Sequence, residues 1–142
     1  MNRLARFRAL PRADRDALVE ATLGLIGASV RLRVMSFGRL ATRLGRHMQQ
    51  SAMADEPALV AEVKRVRWAV ETAARLLPWQ PSCFPQAVAA TALLRRRRIS
   101  STLYFGVDRG HDMEAHAWVR AGSVIVTGAP HHTRFTVVST FA

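Results

Sequence analysis

The chain has 142 residues, enough for one compact domain and too few for two ordinary ones. Hydrophobic residues make up 49%, which supplies a core and excludes disorder along the whole chain. A single cysteine, Cys83, excludes an internal disulfide and any zinc site built on two or more cysteines. The net charge of +11 rests on 20 arginines and one lysine, Lys64. Such a bias follows nucleotide composition as readily as binding chemistry, so it does not by itself point to nucleic acid.

The N-terminus, MNRLARFRALPRADRD, has no apolar run of the length a secretory signal needs. The most apolar stretch, Ala17 to Val30, contains Glu20, Gly24 and Gly27. A membrane span needs ~20 largely uncharged residues, so this stretch reads as a buried helix. The expectation is a soluble, cytoplasmic protein with a reduced thiol at Cys83 and no membrane partner.

From about Arg12 to Arg98 the pattern is helical. Pro11 precedes a helix start with Asp14 and Asp16 near the first turn, where carboxylates suit the positive end of the helix dipole. Leu18, Ala21, Leu25, Ala28 and Leu32 then recur at spacings of three and four, which makes one apolar face. A second helical stretch, interrupted by Gly38 and Gly45, is expected from Phe37 to about Gln50, followed by a loop from Ser51 to Glu56. Pro57 suits the first turn of a third helix, Pro57 to Leu77, with Leu59, Val63, Val66, Val70, Ala73 and Leu77 as its stripe. Trp68 fits that stripe poorly. Pro78 ends this helix. A fourth begins near Cys83 after the extended loop Trp79-Gln80-Pro81-Ser82 and runs to about Arg97. Ser82 is its candidate N-cap, and Pro85 is tolerated only in its first turn. The block Arg95 to Arg98 reads as a solvated helix C-terminus.

The remainder reads as strands. Ser101 to Val107 alternates polar and apolar residues, Ala115 to Arg120 and Ser123 to Thr127 flank a hairpin turn at Ala121-Gly122, and Phe135 to Phe141 supplies a last strand. The expected fold is α+β, one domain over residues 1–142, with a helical N-terminal half (1–77) followed by a small antiparallel sheet in a second half (78–142).

Two residues stand out chemically. Cys83 opens a helix, where backbone N–H groups and the dipole favour a thiolate and can hold an oxyanion. A lone cysteine is by itself more often an inert core residue. His116, in Ala115-His116-Ala117-Trp118-Val119, lies on a strand and is a base for a nucleophilic thiol. Alone it reads as structural. A single cysteine opening a helix with a histidine about thirty residues later is much more specific. Trp118, two residues on, shares the face of His116 and either shields that pair, lines the cleft or is plain core. His131 and His132, with His111 and His116, could suggest a metal, but adjacent histidines on a loop without nearby carboxylates are usually surface residues, so no metal site is expected.

The runs Ser82-Cys83-Phe84-Pro85-Gln86-Ala87, Leu93-Leu94-Arg95-Arg96-Arg97-Arg98-Ile99, Leu103-Tyr104-Phe105-Gly106-Val107 and Ala115-His116-Ala117-Trp118-Val119, together, resemble the lasso peptide biosynthesis B2 protein family. The motif region runs from about Pro78 to Gly128; the N-terminal helices also fit, including the start at Leu10-Pro11 through Leu18, so the resemblance covers nearly the whole chain. It implies a transglutaminase-like or papain-like fold and a cysteine peptidase that removes the leader from a lasso precursor peptide. In that reading Cys83 matches the nucleophile and His116 the general base, with no cofactor and no metal. The implied partners are the precursor peptide, a separate leader-binding B1 protein and, as a further candidate, the cyclase that closes the ring on the freed core. The family pattern places a carboxylate on the strand after the histidine. This chain has no Asp or Glu after Glu114, which leaves Thr127, by hydroxyl or carbonyl, and Asp112 as weak candidates. Two other readings remain: a catalytically inactive scaffold of the same fold that binds partners, and a basic nucleic-acid-binding domain. The second is opposed by basic residues scattered from Arg3 to Arg134 with no recognition-helix or stacking pattern.

Overall fold

A computed structural model describes residues 2–35, 39, 46–108, 110, 114–129 and 132–142. In order these give α1 (Arg3–Ala9), α2 (Arg12–Val34), α3 (Pro57–Leu76), α4 (Cys83–Arg96), β1 (Thr102–Asp108), β2 (Glu114–Ala121), β3 (Val124–Thr127), a 3-10 turn (His132–Arg134) and β4 (Thr136–Phe141). The strands form one antiparallel sheet in the order β3-β2-β1-β4. This is the expected α+β architecture.

Helix α2 buries Ala17, Leu18, Ala21, Leu25 and Ala28. Helix α3 buries Val63, Val66, Ala69, Val70, Ala73 and Ala74. The two pack on each other and on α4. Helix α4 lies against β2 and α3 against β3, so one core joins the helices to Leu103, Ala117, Val119, Val126 and Phe141 of the sheet. Arg97, just past α4, fastens the helical layer: its Nε donates to Glu62 at 2.8 Å and its Nη2 to Glu20 at 2.8 Å, so three helices meet on one guanidinium. Those carboxylates raise the affinity of Arg97 for its proton against the opposing effect of burial, and burial is the largest single influence.

Two departures from expectation have local causes, and Trp68 packs in keeping with its poor fit to the stripe. Helix α1 has no buried residue, hence no apolar period to read, and is capped by Asn2, whose Oδ1 accepts from Ala5 N at 2.8 Å. Residues 46–50, expected as a helix end, are not helical. His47 bridges to Phe141, and Arg46 and Ala142 exchange backbone bonds at 2.7 and 3.1 Å, because the edge of β4 offers partners that an isolated helix end lacks. The rest of that stretch, 36–38 and 40–45, lies outside the described residues. Trp68 itself is half-buried against the core.

Along β2 the side chains alternate. Ala117 and Val119 face the helices, while His116, Trp118 and Arg120 share the other face. At the Arg120 end that second face is covered by the loop before α3. Arg120 is only 4% exposed and has no carboxylate partner among the described residues. Its Nε donates to Tyr104 Oη (2.8 Å), Nη1 to the carbonyls of Ala52 (3.0 Å) and Gly122 (2.8 Å), and Nη2 to Ser51 O (2.8 Å) and Thr102 Oγ1 (3.4 Å). One guanidinium therefore clamps the loop to the sheet with five donors on neutral acceptors.

Candidate active site

Helix α3 ends at its C-cap, Leu77, and Pro78 follows. The chain then turns through Gln80 (φ +41°), buries Pro81 and reaches Ser82 in extended geometry. Ser82 occupies the N-cap position of α4, but its hydroxyl makes no capping bond. Its carbonyl accepts from Gln86 N at 3.3 Å, and Gln86 Nε2 donates to Pro81 O at 2.8 Å, which ties the loop to the first turn. Pro85 sits third in the helix, where its missing N–H costs no helical bond. Cys83 is therefore the first helical residue, half-buried, beside first-turn N–H groups that the Ser82 side chain does not occupy.

His116 sits half-buried near the start of β2. Its imidazole lies between two rings, Phe135 at 4.8 Å (29° between planes) and Trp118 at 5.8 Å (25°). Gly106, its partner across β1, makes room for this group: a Cβ there would lie 2.7 Å from Phe135 Cβ and 2.8 Å from the Trp118 ring. His116 Nε2 is 2.9 Å from the carbonyl oxygen of Gly128, one residue beyond β3. Trp118 is buried, stacked on Tyr104 at 5.3 Å, so it both shields the imidazole and belongs to the packing of that face.

The free chain does not join thiol to imidazole. Phe84, next to Cys83, meets the Phe105 ring edge-on at 5.0 Å. Phe105 is the cross-strand partner of Ala117, so this contact lies on the helix-facing side of the sheet, whereas the His116 ring lies on the other. Among the described residues, neither Cys83 nor His116 donates a hydrogen bond to the other.

No described carboxylate takes up the imidazole either. Glu114, on the same face, accepts from Arg134 Nη2 at 2.6 Å, and Arg134 Nε also reaches Asp108 at 3.0 Å. Asp112 lies outside the described residues. The Thr127 hydroxyl is buried without any hydrogen-bond partner, and the carbonyl that reaches His116 belongs to the next residue. Sequence reasoning missed Gly128, because a backbone carbonyl leaves no mark on residue type. The only available sign was a glycine directly after a β-rich run.

His132 bonds through Nδ1 with Ala129 O at 2.8 Å; His111 and His131 lie outside the described residues. No group of three or more His, Cys, Asp or Glu among the described residues is placed to hold a metal. No described helix is long and apolar enough to cross a membrane. A cavity of about 600 Å³ opens at the far end of α4, lined by Thr91, Arg95, Arg98, Leu59 and Val63. Cys83 begins a 14-residue helix, roughly 20 Å long at 1.5 Å per residue, so that cavity is remote from the thiol.

A family model described as the transglutaminase-like superfamily matches residues 24–140, most of the chain. The chain belongs to the transglutaminase-like superfamily. The match runs from within α2 into β4 and takes in both Cys83 and His116. Comparison with curated proteins and with solved structures gives no match. A transglutaminase-like domain accounts for the helix that opens on the lone cysteine and the antiparallel strands behind it, and the superfamily includes cysteine peptidases.

Proposed function

We propose that this transglutaminase-like protein is a cysteine peptidase that removes the leader from a lasso peptide precursor in the cytoplasm, working with a separate leader-binding B1 partner. The observation that carries the reading is the lone thiol on the first residue of α4, in a chain whose strand imidazole is already held through one nitrogen. Residues 1–77 support residues 78–142 within one domain.

In this reading the Cys83 sulfur, its proton passed to His116, attacks the carbonyl carbon of the bond between leader and core. A C–S bond forms and the carbonyl oxygen takes the negative charge, held by the N–H groups at the start of α4. The C–N bond then breaks as His116 returns its proton to the leaving amine. Water next adds to the thioester, His116 takes a proton from it, and release of the carboxylate regenerates the thiol. The thiol and imidazole must come within hydrogen-bond reach for the first step. Catalytic hydrogen bonds often tighten only when substrate is bound.

The alternative is an inactive scaffold that binds partners. It draws on one observation, the missing hydrogen bond between Cys83 and His116. Mass spectrometry of a precursor peptide incubated with this chain, with and without the B1 partner, separates the two. A single cut that is lost in both Cys83→Ala and His116→Ala is expected. An intact precursor with every partner present would leave the scaffold.

A further inference from the structure

We infer that Gly128 is the positioning residue of the site: its backbone carbonyl, on the strand-end that follows β3, fixes His116 as the tautomer protonated on Nε2 and bare on Nδ1. The inference rests on the peptidase reading for its purpose, but not for its geometry. A carbonyl oxygen only accepts, so at 2.9 Å the hydrogen must belong to Nε2. A neutral imidazole carries one ring proton, which leaves Nδ1 as the lone-pair nitrogen, the form a general base requires. Among the described residues nothing else hydrogen-bonds the ring, so this one bond sets the tautomer. Stacking against Phe135 and Trp118 restricts rotation of the ring.

Only glycine can present that carbonyl. Gly128 has φ +72°, where side chains other than hydrogen are strained. Space forbids a side chain independently. A Cβ would lie 2.6 Å from Ala117 O, 2.8 Å from Trp118 Cβ and 3.0 Å from His116 Nε2 itself. Among the described residues the orienter is thus dipolar rather than charged. A carbonyl orients the ring as well as a carboxylate does, but carries no full charge to stabilise the imidazolium once the ring takes the thiol proton. The imidazole is therefore oriented at reduced driving force for proton transfer.

Long-range 15N–1H NMR of the full-length chain, at about pH 8 where an ordinary imidazole is neutral, tests this directly. His116 resonances are identified by their loss in His116→Gln. The expected result is one tautomer, with nitrogen shifts of a fully protonated Nε2 and a fully bare Nδ1, and a slowly exchanging Nε2–H proton. Gly128→Ala should return His116 to the averaged shifts of a free imidazole while the other histidines stay unchanged. Averaged shifts in the unsubstituted chain, or an Nδ1-protonated ring, would overturn the inference. If Gly128→Ala does not fold, the spectrum of the unsubstituted chain still decides. Should the chain prove unable to cleave any precursor, the peptidase reading falls while the tautomer still answers for Gly128.

Discussion

Replacing Arg120 by methionine should detach the loop before α3 from the sheet. Methionine fills a similar volume without polar atoms, so packing is largely spared and the five hydrogen bonds are what is lost. Bonds from a charged donor contribute roughly 1.5–3 kcal/mol each in isolation. A simple sum overshoots, because the five share one group and because methionine avoids the cost of burying a guanidinium. The freed carbonyls of Ser51 and Ala52 regain water when the loop lifts, whereas Tyr104 and Thr102 lose their cover. A net loss of about 3 kcal/mol follows, a large share of the ~5–15 kcal/mol that holds an ordinary domain together. The melting temperature should fall by roughly 10 °C for a chain of this length. Urea unfolding followed by circular dichroism gives the first number. Limited proteolysis gives the second readout, with new cleavage between residues 46 and 56. Arg120→Lys should fall between the two, since an ammonium cannot span acceptors set out for a planar fork. A methionine variant within about 0.5 kcal/mol of the parent, with no new cleavage in that loop, would refute the clamp.

Thr127→Val should stabilise the chain by about 1 kcal/mol in the same unfolding assay, because it removes a buried hydroxyl that has no partner, and should leave precursor cleavage unchanged. A loss of cleavage with the fold intact would restore Thr127 as an orienter. Arg97→Leu should cost about 2 kcal/mol, since Glu20 and Glu62 lose the cation they share and keep only Arg96 and Arg65 respectively, while Glu20→Gln alone costs less. The two Ser123 hydrogen bonds hold the Asp55 carboxyl below its usual range. A lowered carboxyl stabilises the fold above the ordinary carboxylate range and loses that contribution as pH falls through its own value. The stability difference between parent and Asp55→Asn should therefore be flat above about pH 5 and shrink as the solution is acidified; a difference that grows on acidification would show the wrong sign.

Periodicity carried most of the fold. The stripes of α2 and α3 are legible because buried and exposed residues alternate at helical spacing; α2 starts directly after Pro11 as expected, and α3 ends one residue before the expected Leu77. The strands of the second half are legible for the same reason at a spacing of two. What escaped has a common cause. Helix α1 buries nothing, and residues 46–50 answer to the edge of β4 rather than to their own propensity. Arg120 reads as one more surface arginine among twenty, since the sequence does not show that a loop folds over it. In the site, side-chain identity pointed to Cys83 and His116. The orienter escaped because it is a carbonyl, and every residue has one. The thiol–imidazole relation is a matter of which face each side chain takes, and the strand alternation that settles it for His116 says nothing of a helix start.

The central claim is that Cys83 is a nucleophile served by His116. Because Cys83 is the only cysteine, its alkylation by a leader peptide that ends in a chloromethyl ketone reports on one sulfur while the bound peptide draws thiol and imidazole together as substrate would. At about pH 6 a free thiol reacts slowly, so the native thiol should be alkylated about tenfold faster than that of the urea-unfolded chain. His116→Gln should remove that advantage without changing the far-ultraviolet spectrum. Native and unfolded chains reacting at one rate, or a rate indifferent to His116→Gln, would contradict the account and leave a transglutaminase-like fold whose cysteine is only part of its packing.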